Sequence, residues 1–377
     1  MKSTLILILL MLWFPAHGSA EQELKSQIEQ VISQIDFQDV EDLQIPGPSG
    51  RRSASDTVRA LATGETLSAE DMLFSVLNTF FEELSSLGGI LFSLMFPILL
   101  SSILNQIIDA KESRKSLSHY VCSLLVLIPI VLLVCNELER ARSTITIITQ
   151  RMDKMLSLLL PLLTALGGNA SSAFLHPVVV AASGSMVFLA REVILRLVMC
   201  TCAVTIVNHL SLSAHLTRMA QLLRSAVCWL LGVSFTVFLG TMSFQGVCSA
   251  SIDGVVIRAA KYAVDNFVPI VGGMFSDTMD TLVGCTLIVK NALGICAALV
   301  LLGVVLAPLM HTAAVVFMMK LGAALLEPVA EPEIVRAIGD FASTIVLFLV
   351  TMLCVGTMYF LLIVQMLLVG NLTVMLR

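Results

Sequence analysis

Long apolar runs alternate with short charged stretches along this chain, and their spacing predicts helices that cross a membrane. The runs at 87–108, 119–135, 191–212, 222–246, 280–303, 305–326 and 341–370 each reach the ~17 residues or more that a spanning helix needs. The pattern therefore predicts an all-α, multi-pass helix bundle of about seven spans, with a turn at Ala307-Pro308 separating the fifth from the sixth. Two further apolar stretches are interrupted. Residues 155–190 carry Pro161, Gly167-Gly168-Asn169 and Pro177, and residues 266–278 repeat the order apolar, Pro269, apolar, Gly272-Gly273, small polar. Such broken or re-entrant helices are tolerated at membrane depth only where they are buried in protein or line a wet cavity. One ordinary kinked helix over 155–175 is the simpler reading. Interrupted segments at comparable places in two halves point to a central pathway, which predicts an internal duplication, half A at 155–250 and half B at 251–377.

Composition agrees with the pattern. The chain has 377 residues, of which 57% are hydrophobic and 13% charged, with a mean hydropathy of +0.94. Soluble domains carry roughly 25% charged residues, so this is the balance of a polytopic membrane protein.

Charge is uneven. Residues 21–83 hold 13 acidic and 4 basic side chains within a chain of net charge −5, so the remainder is slightly basic. No basic face is left for nucleic acid. Residues 1–20 combine Lys2, an apolar run over 5–14 and small residues near Ala20, the form of a secretory signal peptide. Residues 21–85 then form an acidic extracytoplasmic segment. Leu24, Ile28, Val31, Ile32 and Ile35 recur at helical spacing there, 45–52 reads as a turn, and Ser68 caps a second helix over 66–83. The membrane part opens with 86–154, a first hairpin followed by an amphipathic linker at 136–154 that suits the interface. Short basic stretches at 109–118 and 215–224 are expected in the cytoplasm, and the acidic loop at 327–340 outside. The C-terminus at 371–377 falls inside on this reading.

Candidate chemistry is sparse. Lys290 stands in an apolar run with Asp277 and Asp280 within three turns, and a charge at that depth usually lines a polar path or pairs within the protein. With Pro161, Gly167, Gly168, Asn169, Pro269, Gly272 and Gly273, these residues are the candidates for a pathway or gate. Lys320 sits where it can snorkel to an interface. His176, His209 and His311 lack metal-ligand spacing and read as satisfied buried histidines. The nine cysteines form no CxxC pair and read as small buried hydrophobes. No HExxH, GxSxG or Walker loop occurs, so no enzyme, metal or cofactor is predicted.

The segments GGNASSAFLHPV (167–178), FLGTMSFQGVCSASIDGVVIRAAKYAVDNFVPIVGGMFSDTMDT (238–281), LIVKNALGI (287–295), KLGAALLEP (320–328) and GNLTVMLR (370–377) occur in an order and spacing that resemble the stage III sporulation protein AE family. The resemblance covers 150–377. It implies a membrane subunit of a specialised secretion or feeding channel between mother cell and forespore, required for late forespore gene expression. It also implies residence in the mother-cell membrane around the forespore. The implied partners are the other stage III sporulation proteins of the same operon, a docking protein on the forespore side and the lipid bilayer. It transfers no catalytic residues. Two other readings stand beside it: a secondary transporter whose halves rock about a midplane site, and a non-conducting scaffold.

Overall fold

The computed structural model describes residues 45–47, 50–52, 54–62, 69–89, 92, 95–100, 112–165, 169–210, 216–267, 272–328, 330 and 332–375. The expected signal peptide, the 24–35 helix and most of the 87–108 span lie outside the described residues. A short antiparallel hairpin comes first. Strands β1 (Ile45–Gly47) and β2 (Gly50–Arg52) pair Ile45 with Arg52 and Gly47 with Gly50 at the expected turn. The other described elements are helices: α1 (Ala54–Ala62), α2 (Ala69–Ser86), α3 (Glu112–Ala165), α4 (Asn169–Phe188), α5 (Leu195–Leu210), α6 (Thr217–Phe267), α7 (Gly272–Leu326) and α8 (Pro332–Met375). Helix α2 is described from Ala69, and Ser68, the expected cap, lies outside the described residues. Helices α4 and α5 are continuous through a π-helical turn at Leu189–Ile194, where the Leu195 N–H donates to the Ala190 carbonyl.

Among the described residues, four segments are long and apolar enough to cross a membrane: Val180–Leu210, Thr217–Phe244, Gly284–Leu326 and Pro332–Leu368. Helices α7 and α8 form the centre, with α3, α5 and α6 around them. Leu293, Ala297, Ile345, Phe348 and Met352 are fully buried between these helices. Lipid is as apolar as leucine, so close contact rather than transfer from water must hold such helices together. Two glycines provide it. A Cβ at Gly294 would overlap Leu367, and one at Gly356 would stand 3.2 Å from Val305. These two contacts run in opposite senses along the chain, so α7 and α8 are antiparallel. Helix α8 starts cleanly because Pro332 occupies its first turn beside Glu333. The described N-terminal elements β1, α1 and α2 all lie along α7, so their apolar stripes pack on the bundle. Trp229, Val237 and Phe244 of α6 face outward, as lipid contact requires.

The continuity of the long helices corrects the expected turn at Ala307-Pro308 and the expected interruptions at Pro161 and Pro177. Helix α7 runs 55 residues with Pro308 inside it, so the turn at Ala307-Pro308 is absent. Proline removes one intrahelical hydrogen bond at a cost of ~3 kcal/mol, and tight packing on both sides of Pro308 outweighs it: Val305 and Leu309 are both buried. Helix α3 likewise runs 54 residues through Pro129, the expected linker and Pro161, and α4 runs through Pro177. The expected boundaries at 154/155 and 250/251 fall inside α3 and α6. With α7 as one rod, the two ends assigned to opposite sides of the membrane come together. Arg224, expected in the cytoplasm, lies 3.3 Å from Asp340, expected outside. One crossing fewer between them reverses the parity.

Candidate functional site

The described helix ends that flank most of the predicted pathway residues fall at one end of the bundle. Contacts of His209, at the end of α5, and Arg224, near the start of α6, with Asp340, near the start of α8, define the opposite end. The start of α4 and the end of α6 are therefore far from that cluster. The break between α3 and α4 and the break between α6 and α7 thus share the other end. Of the predicted residues there, Pro161 is exposed inside α3. Asn169 opens α4, and Gly272 and Gly273 open α7. Asp277 and Asp280 lie in the first turns of α7, and their side chains, like Gly167, Gly168 and Pro269, fall outside the described residues.

Lys290 is buried to 1% exposure, and its Nζ donates to the Leu367 carbonyl at 2.8 Å. Gly294, one turn along the same face of α7, makes the space that the Leu367 side chain fills. Lys290 and Gly294 together grip one residue of α8, so this lysine joins two helices. Gln365, half a turn away, donates to the Met242 carbonyl of α6 at 2.8 Å and extends the tie to a third helix. Lys320 is exposed, in keeping with a snorkelling lysine.

Two polar clusters were not predicted. At the first, Asp340 accepts from Arg224 Nη1 at 3.3 Å and pairs with His209 Nε2 at 3.1 Å, while Arg224 Nη2 donates to the Asp340 carbonyl at 2.8 Å. Beside it, Asn208 Oδ1 accepts from the Leu216 N–H at 2.8 Å, which ties the end of α5 to the start of α6. The second cluster lies deep in the bundle. His311 Nδ1 is 2.7 Å from Glu83 Oε2 of α2, and Nε2 is 3.5 Å from Glu137 Oε1 of α3. The Thr312 hydroxyl donates to Glu137 Oε2 at 2.6 Å, and Arg140 Nε is 3.6 Å from Glu137 Oε1. His209 and His311 are thus satisfied histidines, as expected. Their partners lie 131, 175 and 228 residues away in pairs such as His209–Asp340, Thr312–Glu137 and His311–Glu83, beyond any local spacing rule. The one signal available was the presence of Glu137 and His311 beside apolar runs, which obliges a buried partner. Among the described residues no group of His, Cys, Asp and Glu side chains could hold a metal ion.

Long apolar helices tied together by buried polar contacts, Lys290 to the Leu367 carbonyl and Thr312 to Glu137 among them, define a helical membrane protein. The chain belongs to the family described as Stage III sporulation protein AE, which matches residues 52–370, from the β-hairpin through nearly all of α8. It is 28% identical over 317 residues to the Stage III sporulation protein AE of Bacillus subtilis (strain 168), a match covering 83% of this chain and 79% of that protein. No solved structure matches the chain. The family is thus one of stage III sporulation proteins.

Proposed function

We propose that this chain is a mother-cell membrane subunit of a secretion or feeding channel that joins mother cell and forespore, and that late forespore gene expression depends on it. The observation that carries the reading is the family match across the whole bundle, 52–370. Its partners are the other stage III sporulation proteins of its operon and a docking protein on the forespore side. Residues 1–20 act as the signal peptide, and the acidic segment to 85 lies between the two membranes. Halves A and B, 155–250 and 251–377, meet around the two breaks, with Pro161, Gly167, Gly168, Asn169, Pro269, Gly272, Gly273, Asp277 and Asp280 as the pathway or gate. The seven-span count loses one crossing at α7, since Pro308 does not turn the chain. A scaffold role is favoured over a transporter by Lys290, whose ammonium donates to the Leu367 carbonyl and so joins two helices.

The test is a deletion of the chain in its spore-forming host, followed by an inducible late reporter in the engulfed forespore. The reporter is expected to stay silent and to recover on complementation. A normal reporter signal without the chain ends the channel reading. Introduced cysteines near both breaks, scored for water access in a complementing strain, then separate a lined route from a sealed scaffold.

A further inference from the structure

We propose that His311, protonated between Glu83 and Glu137, is a proton-controlled latch that seats helix α2 on the membrane bundle and frees it when the imidazole loses its proton. The geometry starts from two carboxylates on opposite ring nitrogens, Glu83 at Nδ1 and Glu137 at Nε2. A neutral imidazole carries one N–H and serves one of them, whereas the imidazolium serves both. Opposed placement also means that the two carboxylates do not converge on one point, so they bracket a proton-bearing ring and not a metal ion.

The charges balance only in the protonated state. Glu83 and Glu137 then face His311 and Arg140. Loss of the proton leaves one negative charge without a counter-charge beside Glu137, whose side chain is 2% exposed, and an uncompensated buried charge is costly. Glu137 keeps Thr312 and Arg140 in any case. A neutral His311 therefore leaves its single N–H with Glu137 and turns a bare lone pair towards Glu83. Glu83 is the group that can leave, because α2 lies at the surface and can carry it into water.

No other charge intervenes among the described residues. Helix α8 is uncharged at 347–354, the level of His311 given by the Val305–Gly356 contact. Among the described side chains of α1 only Arg59 is charged, and it is exposed; the described charges of α6, Arg218 and Arg224, stand near its start, where Arg224 meets Asp340. Strand β1 has no ionisable side chain.

The test uses the full chain in detergent, with maleimide labelling quantified peptide by peptide. Leu84 is half-buried against the core and Ser85 is exposed, so Leu84→Cys reports α2 and Ser85→Cys, in a parallel chain, calibrates the reagent. Labelling is compared at about pH 6 and about pH 9, either side of the range in which imidazoles titrate. The calibrated labelling of Leu84→Cys is expected to rise roughly tenfold at the higher pH, the scale of one lost charge-assisted hydrogen bond. Adding His311→Phe should give high labelling at both. Adding Glu83→Gln, whose amide donates to a neutral Nδ1, should give protection at both. Equal protection at the two pH values without these changes overturns the latch, as does a surviving pH response in Glu83→Gln. Buried Cys296 reports the bundle itself; labelling there in step with Leu84→Cys would mean wholesale opening, and would also overturn it.

Discussion

The two polar clusters hold comparable sets of groups in different surroundings. Around His311 the anchoring carboxylate, Glu137, is 2% exposed and has three neighbours from two helices. Around Asp340 the anchor is 35% exposed, with Arg224 and His209 beside it at 20% and 15%. Water still reaches the second cluster and shares the work of solvating it. At the first, only the protein can do so. Equal charges therefore differ in consequence: the buried Glu137 must keep its partners for the bundle to stand, whereas the shallow cluster sets which helix ends meet.

Removing one partner from each site breaks the comparison most directly. Glu137→Ala strands His311, Arg140 and Thr312 together, and it is expected to cost about 3–5 kcal/mol. Heating the purified protein in detergent and following loss of the monodisperse peak should show little of it surviving. Asp340→Ala leaves Arg224 half-solvated, for which about 1–3 kcal/mol is expected, read as a clear but partial downward shift in the same assay. At the far end of the scale stands Glu192, paired with an Arg196 that is 66% exposed. Glu192→Ala should change stability by less than about 0.5 kcal/mol. If Asp340→Ala proves as damaging as Glu137→Ala, depth is not what separates the clusters.

The membrane class, the helical architecture and the long-range family likeness were all legible in the sequence, because apolar run length and composition are local properties. Helix ends were not. The strings around Pro161 and Pro269 look alike; α3 continues through Pro161, while Pro269 lies outside the described residues. Leu158-Leu159-Leu160 are strong helix formers that carry α3 into Pro161. Pro308 was misread for a different reason: the packing that carries α7 through it comes from α8, distant in sequence. Lys290 was rightly singled out as buried, but the Leu367 acceptor is a main-chain carbonyl, which side-chain chemistry cannot reveal.

The contact between Arg224 and Asp340 also fixes an order of events. The residues are 116 apart, and a ribosome adding ~10 residues per second needs roughly ten seconds to cover that distance. For that interval Arg224 and His209 are already made while the carboxylate that will meet them is not. The last helix, α8, is also the one that touches α3, α5, α6 and α7. Biogenesis therefore ends with a closing step, in which a late-arriving helix completes charge pairs left waiting by the earlier ones. A nascent chain stalled before Asp340 is the form in which the membrane insertion machinery would have to hold this protein open.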